Sequence, residues 1–175
     1  MVGFPADEER RRARRHSAVI ALTAMCVAIM GAALAPAAGL AQPTPESSLE
    51  RILAELHELI NEHRVEAGCP PLRWHEPTAR VAEAHSTDMA RRDYFDHVTP
   101  EGTDLSQRLL AGGVAWRGSI AENLALTVRG PEVVLDLWLS SPPHRANIEE
   151  CAFTHHGIGL FEDRWTEVLV EDPVD

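Results

Sequence analysis

The sequence predicts an α+β domain in which two helices come first and strands follow, interleaved with further helix. Three observations predict it. Leu49, Ile52, Leu53, Leu56, Leu59 and Ile60 recur as an apolar stripe at helical spacing. Val81, Ala82, His85 and Met89 share one face of a second helical pattern. Residues 157–160 and 165–170 alternate on either side of a turn near Asp163, as the two arms of a β-hairpin do.

Ahead of that domain lies a segment built for export. Arg10, Arg11, Arg12, Arg14 and Arg15 precede an Ala-rich apolar run over residues 18–34, and small residues continue to Ala41. These are the three parts of a signal peptide. Gly39 and Ala41 supply the small side chains that a cut before Gln42 requires, with Ala35 as a second candidate. The run is short for a bilayer span and diluted by Ala and Gly, so the rival reading is an uncleaved membrane anchor. Cys26 lies inside the run instead of ending it, which argues against a lipoprotein. Arg14-Arg15 is followed by polar His16 and Ser17, a poor match to a twin-arginine signal. We assign residues 1–41 to the signal peptide, 42–48 to a linker and 49–175 to one domain. The expected location is extracellular or the cell envelope, with no membrane insertion after cleavage.

Residues 1–41 hold five arginines and three acids of the 16 basic and 27 acidic side chains, so the mature domain sits near −13. Such a balance argues against nucleic acid as a partner and against docking on anionic lipid. The chain has no lysine, which removes Schiff-base and Ser-Lys chemistry. Cys69 and Cys151 alone survive cleavage. An even pair in an oxidising compartment reads as a disulfide, and the alternative is two buried free thiols.

The first helix starts at Ser47 or Ser48, with Glu50 in capping-box spacing from Ser47, and ends at Gly68. Residues 70–74 are an extended connector. Pro77 opens the second helix, which runs to about Arg92. Residues 93–102 are irregular, a short helix spans about 105–111, and 120–126 is a strand. Gly130-Pro131 launches an amphipathic helix that Ser141-Pro142-Pro143 breaks.

His57-Glu58 starts like a zinc-protease helix motif, but Asn61 stands where its second histidine belongs. His57 and His63 are therefore expected to be solvated, and His85 to be a satisfied core histidine. No nucleophile elbow, phosphate loop or dinucleotide fingerprint occurs. What remains are three separated segments around Tyr94-Phe95-Asp96-His97, Glu122-Asn123 and Trp138 to Ile148, whose imidazoles and carboxylate are metal-ligand types. Spacing alone leaves open whether they meet.

Together these segments carry a resemblance over residues 56–160. The ordered set is Asn61 with Arg64, Gly68-Cys69-Pro70-Pro71-Leu72 with Trp74, Ala84-His85-Ser86 with Asp88-Met89-Ala90, Phe95 with His97, Gly102, Arg108, Glu122-Asn123, Trp138, Ser141-Pro142, His144-Arg145, Asn147-Ile148 and Gly157-Ile158-Gly159. It resembles the bacterial branch of the CAP superfamily, the SCP-like extracellular domain shared with cysteine-rich secretory proteins, antigen 5 and pathogenesis-related proteins. The resemblance implies an α-β-α sandwich with a small antiparallel sheet between helices. It also implies a cavity that many members line with two His and two Glu and that in some binds zinc or another divalent cation.

Mapped by motif, His97 matches the first cavity histidine, Glu122 the glutamate of the Glu-Asn pair, and His144 the second histidine. Ser141 replaces the second acid, so at most three of the four polar groups are present. The expected function is a monomeric extracellular interaction or ligand-binding module with an unidentified envelope or extracellular ligand. The alternatives are a metal-assisted hydrolase with Glu122 as base, and a sterol- or fatty-acid-binding protein. Trp138, Tyr94 and Phe95 are expected in the core. Asn123 and Asn147 are expected to bond loop backbone, and Arg145 to pair with an acid. His156 stands at a position usually apolar in the family, and Glu167 and Leu169 replace the usual Gln and Phe.

Overall fold

The computed structural model describes residues 45–174; the expected signal peptide and the start of the linker lie outside the described residues. Helix α1 (Pro45–Glu66) begins two to three residues earlier than its capping signal suggests. Strand β1 (Arg73–Trp74) falls in the connector, and α2 (Glu76–Arg92) follows with Pro77 in its first turn. Asp93 takes φ 53°, a left-handed residue that stops α2 and turns the chain into the irregular segment. Helix α3 (Leu105–Ala111) is opened by a capping box between Asp104 and Gln107. Then come β2 (Ala115–Trp116), β3 (Ile120–Leu126), α4 (Pro131–Ser140), α5 (Pro142–Ile148), β4 (His155–Phe161), β5 (Arg164–Val170) and β6 (Pro173–Val174).

The prolines at 142 and 143 do more than end α4. Pro142 occupies the first turn of α5, where a missing N–H costs nothing. A stop signal was therefore also a start signal, and α5 was not foreseen.

The main sheet runs β1-β4-β5-β3, with β1 parallel to β4 and the other pairs antiparallel; β2 and β6 form a separate two-stranded ribbon. Alternation along the strands sorts their side chains onto two faces. One face carries Ile158, Trp165 and Leu169, which pack with Leu56 and Ile60 of α1, Val134 and Trp138 of α4, and Ile148 of α5. The other carries Val168 and Val170, which pack with Val81 and Ala82 of α2 and Leu109 of α3. The result is the expected α-β-α sandwich. Helix α2 lies so close to β4 that a Cβ on Gly157 or Gly159 would come within 2.1 Å of the backbone N of Ala79 or Glu83. The two glycines at strand spacing thus meet two backbone sites at i, i+4 spacing on the helix.

Two devices tie the connector after α1 to the segment after α5. Cys69 and Cys151 form a disulfide across a sequence separation of 82. Beside it, the fully buried Arg64 donates to the carbonyls of Ile148 (2.6 Å), Glu150 (3.0 Å), Phe153 (3.1 Å) and Pro70 (3.1 Å).

Several expectations need correction. His57 is half-buried and bonded to His156, and His63 lies 2.8 Å from Glu149, because α1 turns this flank toward β4 and α5 rather than to water. Phe95 is 44% exposed, since the segment after Asp93 leaves the core, while Trp138 is fully buried as expected. Arg145 donates to the Leu139 carbonyl at the end of α4 instead of pairing with an acid. Among the described residues no helix is long and apolar enough to cross a membrane.

Candidate functional site

The site is built where β3 passes the irregular segment between α2 and α3. Glu122 follows the rule of alternation and faces the α2 side, its side chain only 3% exposed. A buried carboxylate needs partners, and it has two. Arg108 of α3 donates Nη2–H to Oε2 at 2.5 Å, and His97 Nδ1 lies 2.8 Å from Oε1. Arg108 also donates Nη1–H to the His97 carbonyl at 2.7 Å, so one guanidinium holds both the acid and the backbone of its histidine partner.

The irregular segment is pinned from behind. Tyr94 donates its hydroxyl to Asp88 at 2.6 Å, and burial together with that bond pushes the phenol well above its ordinary pKa. Asp96 caps Val98 N–H, and the Asp96 carbonyl accepts from His85 Nε2 at 3.0 Å. His85 is thereby fixed as the Nε2–H tautomer. Its Nδ1 is buried without a partner, so this core histidine is only half satisfied. Its Nε2 stands 4.0 Å from Glu122 Oε1, and burial holds its pKa below the ordinary value.

His97 is the exposed edge of the cluster, its side chain 52% accessible. The hydrogen bond that its Nδ1–H donates to Glu122 raises its pKa above the usual 6.5. Stability from this pair is fully present below the ordinary value and is lost as pH rises through the raised one. His144, on α5, is displaced in the opposite sense, first by burial and then by the charge of His97. The two imidazoles sense each other's field, so a proton on one disfavours a proton on the other. In Glu122→Gln the His97 pKa is expected to fall, followed by ring-proton NMR against pH; a titration that stays in place would remove Glu122 as its partner.

The structure thus places His97 directly on Glu122 and His144 within electrostatic reach of His97. Asn123, facing the other side of the sheet, donates to Glu167 (3.0 Å) and to the His144 carbonyl (3.3 Å), and accepts from Asn147 at 2.9 Å. The two asparagines therefore bond side chains as well as backbone. Arg108 is the functional residue that sequence reasoning left without a role. Its signal was a lone arginine on a capped seven-residue helix, which says nothing about the acid it meets.

The donor chemistry can be tested against a metal. Both Glu122 oxygens are already engaged, and among the described residues no three His, Cys, Asp or Glu side chains are arranged to hold an ion. Glu122 orients His97 through Nδ1 as an outer carboxylate does, which leaves Nε2 as the other nitrogen of that ring.

Fold and site together define an α-β-α domain with a Glu-His cleft at one edge of its sheet. The chain belongs to the cysteine-rich secretory protein family, CAP, whose sequence model matches residues 57–169. It is 32% identical to YkwD of Bacillus subtilis over 126 residues, covering 71% of this chain and 49% of that protein. It is 36% identical to the B. subtilis membrane protein YlbC over 118 residues, covering 67% of this chain and 34% of that one. The chain therefore spans about half or less of the curated relatives it matches. Among solved structures, an extracellular protein containing an SCP domain from Bacillus anthracis superposes with TM-score 0.69 at 29% identity, over 76% of this chain and 45% of that one. A cysteine-rich secretory protein from Staphylococcus aureus shares the fold, with TM-score 0.62 at 20% identity over 70% and 39% of the two chains.

Proposed function

We propose that this CAP domain works outside the cell as a binding module, with the cleft at His97, Glu122 and His144 as its recognition point and a divalent cation such as zinc as a ligand of the two imidazoles. The observation that carries this reading is the clamped state of Glu122. A hydrolase would ask that carboxylate to take a proton from water, yet Arg108 and His97 occupy both of its oxygens. Among the described residues both cysteines are joined to each other, and Ser140 back-bonds the Asp136 and Leu137 carbonyls, so neither supplies a free nucleophile. His97, backed by a carboxylate, keeps Nε2 for a ligand.

Calorimetric titration of the metal-free protein with zinc tests it. Binding is expected in the parent, to be lost in His97→Ala and in His144→Ala, and to tighten as pH rises through the His97 pKa, because the ligating imidazole must be neutral. Binding unchanged in either variant removes the site. Peptide or cell-wall turnover that a chelator abolishes would shift the reading to the hydrolase.

For the lipid alternative the feature to weigh is an apolar groove. A groove of about 600 Å³ between α1 and α2 is floored by Leu53, Trp74, Ile158 and Leu160. Glu50, Glu76 and Glu83 outnumber Arg80 on its walls, and Arg80 is already paired with Glu76, so the groove opposes the headgroup of a fatty acid, which is why we place recognition in the polar cleft.

A further inference from the structure

His156 and Glu167, singled out separately in the sequence, are partners in the structure. Both are fully buried on adjacent strands, on the sheet face that meets α1. His156 Nδ1 lies 2.8 Å from Glu167 Oε1, and His156 Nε2 lies 2.6 Å from Nδ1 of His57, which reaches in from α1. Glu167 Oε2 accepts from Asn123, and at the other end Asn61 Nδ2 stands 3.3 Å from His57 Nε2. Four side chains thus form one continuous line from the sheet to the flank of α1.

Hydrogen-bond chemistry places the protons along that line. The Asn61 amide is held by the backbone of Leu72, whose N–H donates to Oδ1 at 2.7 Å and whose carbonyl accepts from Nδ2 at 3.0 Å. A donor therefore faces His57 Nε2, which must accept. The His57 proton is then on Nδ1 and is donated to His156 Nε2, and the His156 proton is on Nδ1 and is donated to Glu167. Every position in the line is filled except the Nε2 lone pair of His57, held only by its long bond from Asn61.

We propose that Asn61, His57, His156 and Glu167 form a buried proton-binding site, entered at His57 Nε2 and gated by the Asn61 amide, which links the hold of α1 on the connector at Leu72 to external acidity. A proton arriving at Nε2 sets N–H against N–H. The Asn61 amide relieves that contact by turning over to present Oδ1, and Leu72 N–H then loses its acceptor. The added charge sits on the His57 ring, whose Nδ1–H faces His156 and, beyond it, the carboxylate of Glu167.

The surroundings set the direction. Burial and the neighbouring His156 hold the His57 pKa below its ordinary value, while Glu58 on its own helix and Glu167 on β5 pull it up. The same Glu167 also acts on Arg64 of α1 and on His144 of α5. Trp74 of β1 stacks edge-on against His57, and Glu76, Arg80 and Glu83 of α2 share the groove that His57 lines. Because the folded pKa is depressed, stability falls as pH drops from the ordinary 6.5 to the folded value and loses no more below it.

The test is nitrogen-resolved NMR of the histidine rings in the full chain, with amide hydrogen exchange at Leu72 corrected for its intrinsic pH dependence. At about pH 7.5, His57 and His156 are both expected as Nδ1–H tautomers, the less common form of free histidine. Leu72 exchange should quicken by roughly tenfold or more across the same pH interval in which His57 gains its proton, and His57→Gln should make it independent of pH. A His57 Nε2–H tautomer at neutral pH overturns the site, and so does a Leu72 amide whose exchange ignores the His57 titration. The tautomers are read in the parent protein, so the test stands even where the variant fails to fold.

Discussion

Replacing both cysteines, Cys69→Ser with Cys151→Ser, is expected to lower the stability of the domain by about 4–5 kcal/mol. The bond closes a loop with a sequence separation of 82, and cross-linking a loop of that order removes about 4–5 kcal/mol of chain entropy from the unfolded state. It also fixes a particular place. Cys69 follows α1, Cys151 follows α5, and between them lies the carbonyl of Glu149, within 3.2 Å of Cys69 Sγ. Without the bond, the turn that ends α5 is held to the connector mainly by Arg64. Urea unfolding with a two-state fit measures the loss. A difference below about 1 kcal/mol would mean that the unfolded chain is already compact enough to hold the two ends together.

Arg64→Met is expected to cost about 3–5 kcal/mol, from the same measurement. Methionine fills similar volume and removes a buried charge whose pKa burial already depresses, so neither packing nor charge accounts for the cost. The cost lies in four carbonyls left without their donor. Those of Ile148 and Phe153 form fully buried bonds, and an unpaired buried acceptor costs about 1–3 kcal/mol each. Those of Pro70 and Glu150 are nearer water and recover part of theirs. Arg64→Lys should regain less than half, because one ammonium cannot present the fork that reaches four acceptors. Arg64 and the disulfide hold the same two segments, so the combined variant should depart from the sum of the separate losses. A strictly additive result would show that the two ties act on independent parts of the fold.

Much of this architecture was legible because it is local. The stripe from Leu49 to Ile60 buries Leu56 and Ile60 completely, and the residues expected in a hairpin form β4 and β5. Two cysteines beyond the expected signal peptide allow one pairing with each other, and that pairing is present. The motif order around His97, Glu122 and His144 identified the family without any geometry. Where the reading of the histidines fell short, the missing fact was a partner distant in sequence. His57 was taken for a solvated residue because Asn61 stands where a zinc-protease helix motif needs its second histidine; the group that buries it, His156, lies 99 residues away. His156 and Glu167 looked like separate departures from the family because neighbouring strands are not neighbouring sequence. Phe95 looked like core because aromatic residues usually are, yet the left-handed turn at Asp93 carries it outward.

The sequence by itself determined helices α1 to α4, the hairpin, the disulfide and the family, since each depends on a short-range period, a unique pairing or an ordered set of motifs. Only the tertiary structure decided that Glu122 is clamped by Arg108 and that Glu167, His156, His57 and Asn61 share one line of protons. Hydrogen bonds act over about 3 Å, and which side chains come that close is settled by how the two helical layers close on the sheet.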